Sequence, residues 1–337
     1  IWTRVTWVVV TVAIDLIRRR FTLPLSRSCD RYRYRDYPFD VGAVPGRHSP
    51  GRPGWCWFNC PGRLAERNHY DGGERSRRME FSGAVLDVDG TVVRGDDPIA
   101  GAPAGYQRLR EAGIEPLFVS NNPTKAPPAY VDRLGAAGYD ADADRVITAG
   151  TVTTRYLSTH HGDDDLLCLG EPGLFEQFAD AGLSTTDDVD AADALVASID
   201  RDFDYDDLCT ALWALDRGIP FLGTDPDIVI PASERDVPGS GAVIRAVAAV
   251  AEREPDVVLG KPSEPAVEMI RERLSCSPEE CLVVGDRLNT DIALGARAGM
   301  TTVLVLSGVT DEATLAASDV TPDHVLDDLG QIDRVIG

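Results

Sequence analysis

Past Met79 the apolar positions alternate between short continuous runs and helical stripes. F-S-G-A-V-L-D (81–87) reads as a strand buried on both faces, followed by a Gly/Thr turn and a short flap, V-V-R-G-D-D-P-I. A-P-A-G-Y-Q-R-L-R-E-A-G carries an amphipathic helix stopped at Gly113, and I-E-P-L-F-V-S a second strand. A helix over 128–137 and a short strand over 145–148 continue a strand-helix alternation that predicts a parallel α/β sheet. The pattern then restarts. D-L-L-C-L-G, D-A-L-V-A-S-I and P-F-L-G-T are strands separated by helices, and Asp-rich connectors at 163–165 and 187–193 mark a lobe with its own surface loops. The run V-V-L-G-K-P, a helix, C-L-V-V-G-D, a helix and T-T-V-L-V-L is expected to resume the first sheet. No solenoid-period repeat is present.

Residues 1–78 follow no such pattern. They hold 15 Arg and no Lys against 7 acidic residues, a net +8, whereas 79–337 hold 18 basic and 48 acidic residues, a net −30. Four of the five Trp lie in this first stretch without helical or alternating period. An exported or anchored leader would need a longer apolar run than W-V-V-V-T-V-A-I, which Asp15 closes after eight residues, where a span takes about 20. The expectation is that 1–78 form no domain, being disordered or upstream sequence read as protein, with the natural start at Met79. Cys56 and Cys60 resemble half a zinc site, but no second Cys pair follows.

The remaining 259 residues suffice for two lobes. Their acidity excludes nucleic acid and anionic membranes as partners, because like charges repel. Cys168, Cys209, Cys276 and Cys281 show no disulfide framework, so reduced thiols in a cytoplasmic protein are expected. Only Lys125 and Lys261 are lysines, against 16 Arg after Met79, and the dense carboxylates suit a salt-adapted surface.

Parallel sheets bind ligands beyond the carboxyl ends of their strands. Four runs end there in polar residues: Asp87 with Asp89, Ser120, Lys261 and Asp286. Carboxylates at i and i+2, turned by Gly90 and Thr91, can serve as nucleophile and general acid/base around one electrophile, provided a cation offsets their repulsion. A phosphoryl group fits that demand, and Mg²⁺ suits the oxygen donors of Asp87 and Asp286. Each piece also has an ordinary reading: Ser120 with Asn121 and Asn122 as a helix cap, and Asp286, Asn289 and Asp291 as a turn cluster. Lys261 resists it, since a cation at a helix N-terminus is disfavoured unless something anionic lies nearby.

In this order, L-D-V-D-G-T, L-F-V-S-N-N, L-G-K-P and V-V-G-D-R-L-N-T-D resemble the four motifs of the haloacid-dehalogenase superfamily, over essentially all of 79–337. S-N-N-P-T-K and G-D-R-L-N-T-D further resemble its IIA subfamily of NagD-like and 4-nitrophenylphosphatase-like enzymes. The resemblance implies a Rossmann-like doubly wound parallel-sheet core with an inserted C2-type α/β cap. The core would comprise 79–156 and 253–337, and the cap 157–252, since 141 positions separate Ser120 from Lys261 and a single crossover needs far fewer. It implies that Asp87 attacks phosphorus and that Asp89 protonates the leaving oxygen. Gly90, Thr91, Ser120, Asn121 and Lys261 would hold the phosphoryl group. Mg²⁺ would bind Asp87, the Asp89 carbonyl and Asp286, with Asp291 orienting a metal-bound water or Lys261. In the cap, G-T-D-P-D-I-V-I-P and P-G-S-G-A-V resemble substrate-facing segments, offering Thr224, Asp225, Asp227 and Ser240.

The function so implied is a Mg²⁺-dependent phosphatase of small phosphomonoesters: a sugar phosphate, glycerol phosphate, phosphoglycolate or nucleotide monophosphate. A C2 cap also offers a face for a homodimer. A receiver-like phosphoaspartate signalling or binding protein would have no use for Asp89 or a lobe of nearly one hundred residues. A phosphomutase would carry a long cap in the flap, where only about ten residues are available.

Overall fold

Why the first sheet stands where it does follows from β1 (Gly83–Asp87), whose five residues are all buried. Val85 faces one apolar cluster and Ala84 and Leu86 the other, as period-2 side chains of a strand covered on both faces must. The computed structural model describes residues 81–231 and 235–337. The expectations for Met79, for the apolar run after Trp7 and for Cys56 and Cys60 lie outside the described residues.

After β1 come a small hairpin, β2 (Val93–Arg94) and β3 (Asp97–Pro98), then α1 (Ala102–Glu111), β4 (Glu115–Ser120), α2 (Pro127–Ala136), β5 (Val146–Thr148) and α3 (Ala149–His160). The chain continues through β6 (Asp165–Leu169), α4 (Pro172–Asp180), β7 (Ser184–Thr185), β8 (Ala194–Ala197), α5 (Tyr205–Asp216) and β9 (Phe221–Gly223). A second hairpin, β10 (Val229–Ile230) and β11 (Val237–Pro238), precedes α6 (Ser240–Val250) and β12 (Val257–Val258). The last stretch runs α7 (Glu264–Arg273), β13 (Cys281–Gly285), α8 (Ala293–Ala298), β14 (Thr301–Val305), α9 (Glu312–Ala316), β15 (His324–Leu326) and α10 (Asp333–Ile336).

Two sheets result. The six-stranded one has the order β15-β14-β13-β1-β4-β5, all parallel, and the five-stranded one the order β12-β9-β8-β6-β7, also parallel. The fold class is therefore a Rossmann-like doubly wound core carrying a second α/β layer as a cap. One expectation is corrected. V-V-L-G-K-P does not resume the first sheet, because Val257 and Val258 pair with Leu222 and Gly223 of β9; the first sheet resumes at β13. A two-residue apolar run carries no periodicity that would say which sheet takes it.

In the larger sheet the order departs from β1 in both directions, to β4 and to β13. That divergence opens a crevice at the carboxyl ends of the two central strands. Among the described residues no helix is long and apolar enough to cross a membrane.

Candidate active site

At the crevice, three buried acids and one buried lysine make a connected cluster. Lys261, 3 % exposed, donates from Nζ to Asp87 Oδ1 at 2.6 Å, to Asp291 Oδ1 at 2.7 Å and to the Val119 carbonyl at 2.9 Å. An ammonium has three donors, and all three are used. Its backbone is fixed as well, since Lys261 N donates to Asn121 Oδ1 at 2.8 Å and Asn121 Nδ2 donates to the Lys261 carbonyl at 3.3 Å. Asn121 thus spends its side chain joining the end of β4 to the start of the last core segment. Asp291 Oδ2 in turn accepts from Arg287 N at 3.0 Å, so Asp291 holds the lysine head from a rigid base.

Burial works against the Lys261 charge, but Asp291 and Asp87 outweigh it and hold the ammonium above its usual range. Asp87 goes the other way from an ordinary ion pair: burial pushes its carboxyl well up, Lys261 opposes this, and Asp291 and Asp286 add to it. Asp286 is pushed up to about 7, first by burial and then by Asp291. Lys261 and the nearby Arg287 are too little positive charge for this many buried carboxylates.

The metal expectation meets that deficit. Asp87, Asp286 and Asp291 each offer a carboxylate oxygen, all within 4.8 Å of one another. Asp286 Oδ2 accepts from Val309 N at 2.6 Å, while its buried Oδ1 has no partner. An all-oxygen, acid-rich donor set with an orphaned oxygen fits a hard divalent cation such as Mg²⁺. The neighbouring backbone is shaped to admit it: Gly90 has φ of 102°, and a Cβ there would stand 2.4 Å from Asp286 Oδ2.

The other expected residues divide by depth. Asp87, Asp89, Ser120, Asn121 and Lys261 line one cleft together with Asp225, Asp227 and Ser240 from the second lobe. Thr91 does not line it; its hydroxyl is buried and donates to Asp87 Oδ2 at 3.2 Å. The Gly90 carbonyl accepts from Ser307 Oγ at 2.8 Å. Thr224 is also buried behind the surface, its hydroxyl donating to Asp225 Oδ2 and lying 3.0 Å from Ser198 Oγ. Ser120 Oγ lies 2.8 Å from the Tyr130 hydroxyl, and Ser240 Oγ accepts from Ile199 N. Asp225 is raised to about 8, by burial and then by Asp227, and Asp227 is raised by burial against the pull of Arg287.

Several participants escaped the sequence reading. Arg287 Nη2 donates to the Val229 carbonyl at 2.9 Å and Nη1 stands 3.6 Å from Asp227 Oδ1, tying the segment after Asp286 to the hairpin above the cleft. It lies inside a quoted motif, so its position was visible though its partner was not. Arg133 donates to Asp89 Oδ1 at 2.6 Å from α2. Gly308 lies against Asp286, where a Cβ would be 1.9 Å from Oδ2.

Fold and cluster together define an α/β protein with a doubly wound parallel sheet that places a buried aspartate at a central strand end beside a candidate cation site. Comparison with known proteins makes this specific. The model described as haloacid dehalogenase-like hydrolase matches residues 84–184, and a HAD-hydrolase-like model matches 258–332. The acid sugar phosphatase of Staphylococcus haemolyticus is 31 % identical over 249 residues, 74 % of this chain and 94 % of that protein. The 5'-nucleotidase YutF of Bacillus subtilis is 31 % identical over 249 residues, 74 % and 96 % of the two chains. The structure of a p-nitrophenyl phosphatase from Archaeoglobus fulgidus superposes with a TM-score of 0.71 at 33 % identity, covering 76 % of this chain and 99 % of that one. The chain belongs to the haloacid dehalogenase-like hydrolase family, in its NagD-like and 4-nitrophenylphosphatase-like branch.

Proposed function

We propose that this chain is a Mg²⁺-dependent phosphatase of small phosphomonoesters that works through an aspartyl phosphate on Asp87. The observation that carries this reading is the buried Asp87–Lys261–Asp291 cluster with Asp89 two residues further on at the cleft. Asp87 attacks phosphorus as the bond from phosphorus to the leaving oxygen breaks, and Asp89 gives that oxygen a proton. Water then attacks phosphorus, its proton passes to Asp89, and the bond to Asp87 breaks to release phosphate. Acid/base help of this kind contributes roughly 10²- to 10⁴-fold. Lys261 keeps Asp87 oriented and offsets phosphoryl charge, while the Ser120 hydroxyl and the Asn121 backbone receive phosphoryl oxygens. Gly90 and Thr91 shape the turn beneath, Thr91 by its hydrogen bond to the nucleophile.

Asp87, Asp286 and the Asp89 carbonyl would hold Mg²⁺, with Asp291 behind them, and the ion would supply the positive charge that the acid cluster lacks. The second lobe, taken as 157–252 extended to Val258 by its sheet, excludes water and reads the leaving group through Asp225, Asp227 and Ser240, with Thr224 bracing Asp225. The relatives' names, a sugar phosphatase and a 5'-nucleotidase among them, support a small phosphorylated metabolite as substrate. Free Cys168 and Cys209 support a reducing, cytoplasmic setting. The exposed face of the second lobe is where a homodimer would form.

The test is hydrolysis of 4-nitrophenyl phosphate with and without Mg²⁺, followed by a panel of sugar phosphates and nucleoside monophosphates. Asp87→Asn should lose turnover by at least about 10³-fold. Retention of most Mg²⁺-dependent activity by that variant would overturn the mechanism.

A further inference from the structure

Helix α2 sends two side chains, three positions apart and so on one face, to two different strand-end groups. Tyr130 meets Ser120, and Arg133 meets Asp89. Arg133 is not a surface arginine, since only 11 % of its side chain is exposed, whereas that of Asp89 is 42 % exposed. Besides Asp89 Oδ1, it donates through Nε to the Gly95 carbonyl at 3.1 Å and lies 3.6 Å from Asp96 Oδ1, both in the turn of the β2–β3 hairpin. Its guanidinium carbon stands 5.8 Å from the centre of the Tyr130 ring. Burial opposes the charge of Arg133, and the hydrogen bond and charge of Asp89 together with Tyr130 and Asp96 outweigh it. The arginine is fixed from three sides, and the carboxylate it grips is the more exposed partner.

We propose that Arg133 is a positioning residue for Asp89, holding Oδ1 so that the carboxylate keeps the orientation needed to take a proton from the water that hydrolyses the phosphoenzyme. The proposal rests on the role given to Asp89 above. Asp87 is boxed in by Lys261 and Thr91, but Asp89 sits at the cleft with one arginine to hold it. A planar guanidinium can meet a carboxylate and a hairpin carbonyl at once, which ties the orientation of Asp89 to the position of the flap. The flap is thereby coupled to the second half-reaction.

4-Nitrophenyl phosphate separates the two half-reactions, because 4-nitrophenolate leaves without needing a proton. Formation of the phosphoenzyme, reported by kcat/KM, then draws little on Asp89, whereas hydrolysis of the phosphoenzyme still needs it. For Arg133→Met we expect kcat to fall by about 10- to 100-fold, kcat/KM to stay within about threefold, and a pre-steady-state burst near one 4-nitrophenolate per site to appear. Arg133→Lys should recover part of kcat. On an Asp89→Asn background, Arg133→Met should cost less than about twofold, because the group it positions is already gone. A kcat unchanged from wild type, an equal fall in kcat and kcat/KM without a burst, or losses that multiply on the Asp89→Asn background would each overturn the proposal. Arg133→Gln serves for the same measurements if Arg133→Met does not fold. Wild-type turnover by Asp89→Asn alone would instead overturn the assignment of Asp89, and the positioning role with it.

Discussion

Replacing Asp286 with Asn probes the charge excess of the site through stability. The Asp286 side chain is fully buried, its Oδ2 accepts from Val309 N at 2.6 Å, and its Oδ1 has no partner. Burial and the neighbouring Asp291 raise its pKa from 3.8 to about 7 in the metal-free fold. The folded state therefore holds a proton that the unfolded state has released, so stability falls as pH rises from about 4 to about 7. At about 1.36 kcal/mol per pKa unit, the ionised carboxylate costs the metal-free protein at most about 4 kcal/mol at pH 8. Asn keeps an acceptor for the Val309 N–H and removes the charge. In chelator at pH 8, Asp286→Asn should be more stable than wild type by about 2 to 4 kcal/mol, or by about 5 to 15 °C in Tm. The gap should close as pH falls toward 4. Excess Mg²⁺ should raise the wild-type Tm and leave the variant nearly unmoved, since only the wild type retains the ligand. Scanning calorimetry at several pH values, with chelator or Mg²⁺, measures all of this. A variant that melts at or below wild type at pH 8 in chelator would refute the charge-excess account.

Further outcomes follow from the same geometry. Gly308→Ala places a methyl group against Asp286 and should weaken Mg²⁺ binding, read by calorimetric titration, by about 10- to 100-fold; unchanged affinity would show that the ion does not use that carboxylate. Lys261→Arg should lose about as much 4-nitrophenyl phosphate turnover as Lys261→Met, because a planar fork cannot replace three donors diverging from one atom; near-wild-type rates would contradict this. With a net charge of −22, the protein should melt several degrees higher in 2 M than in 0.1 M KCl, and equal Tm values would count against salt adaptation.

Much of this was readable because charged residues at the ends of continuous apolar runs are unusual. In a strand buried on both faces, an Asp at or just past the last position stands at the carboxyl edge of the sheet, and β1 and β13 both deliver acids in this way. The placement of Val257 and Val258 was not readable, since sheet membership of so short a run is settled by distant partners. Thr91 and Asn121 lay in recognisable motifs, but the direction of their side chains depends on what packs beneath and beside them. Arg133 looked like any helix arginine. Its role arises because α2 runs past the flap, and no local pattern encodes that approach.

Lys261 explains why a chain so poor in lysine keeps one at its centre. Elsewhere arginine does the work of cations, with 16 after Met79, and the other lysine there, Lys125, is exposed. The position between Asp87, Asp291 and the Val119 carbonyl asks for a compact head with three donors diverging from one atom. A guanidinium spreads its donors in a plane across several ångströms and would have to displace an acid or the β4 backbone to fit. Replacing lysine with arginine over the surface leaves an exposed cation exposed, whereas at this site it would change which carboxylate oxygens are satisfied. The residue type is thus held by geometry where charge alone would allow either, and the nucleophile candidate keeps its orientation as a result.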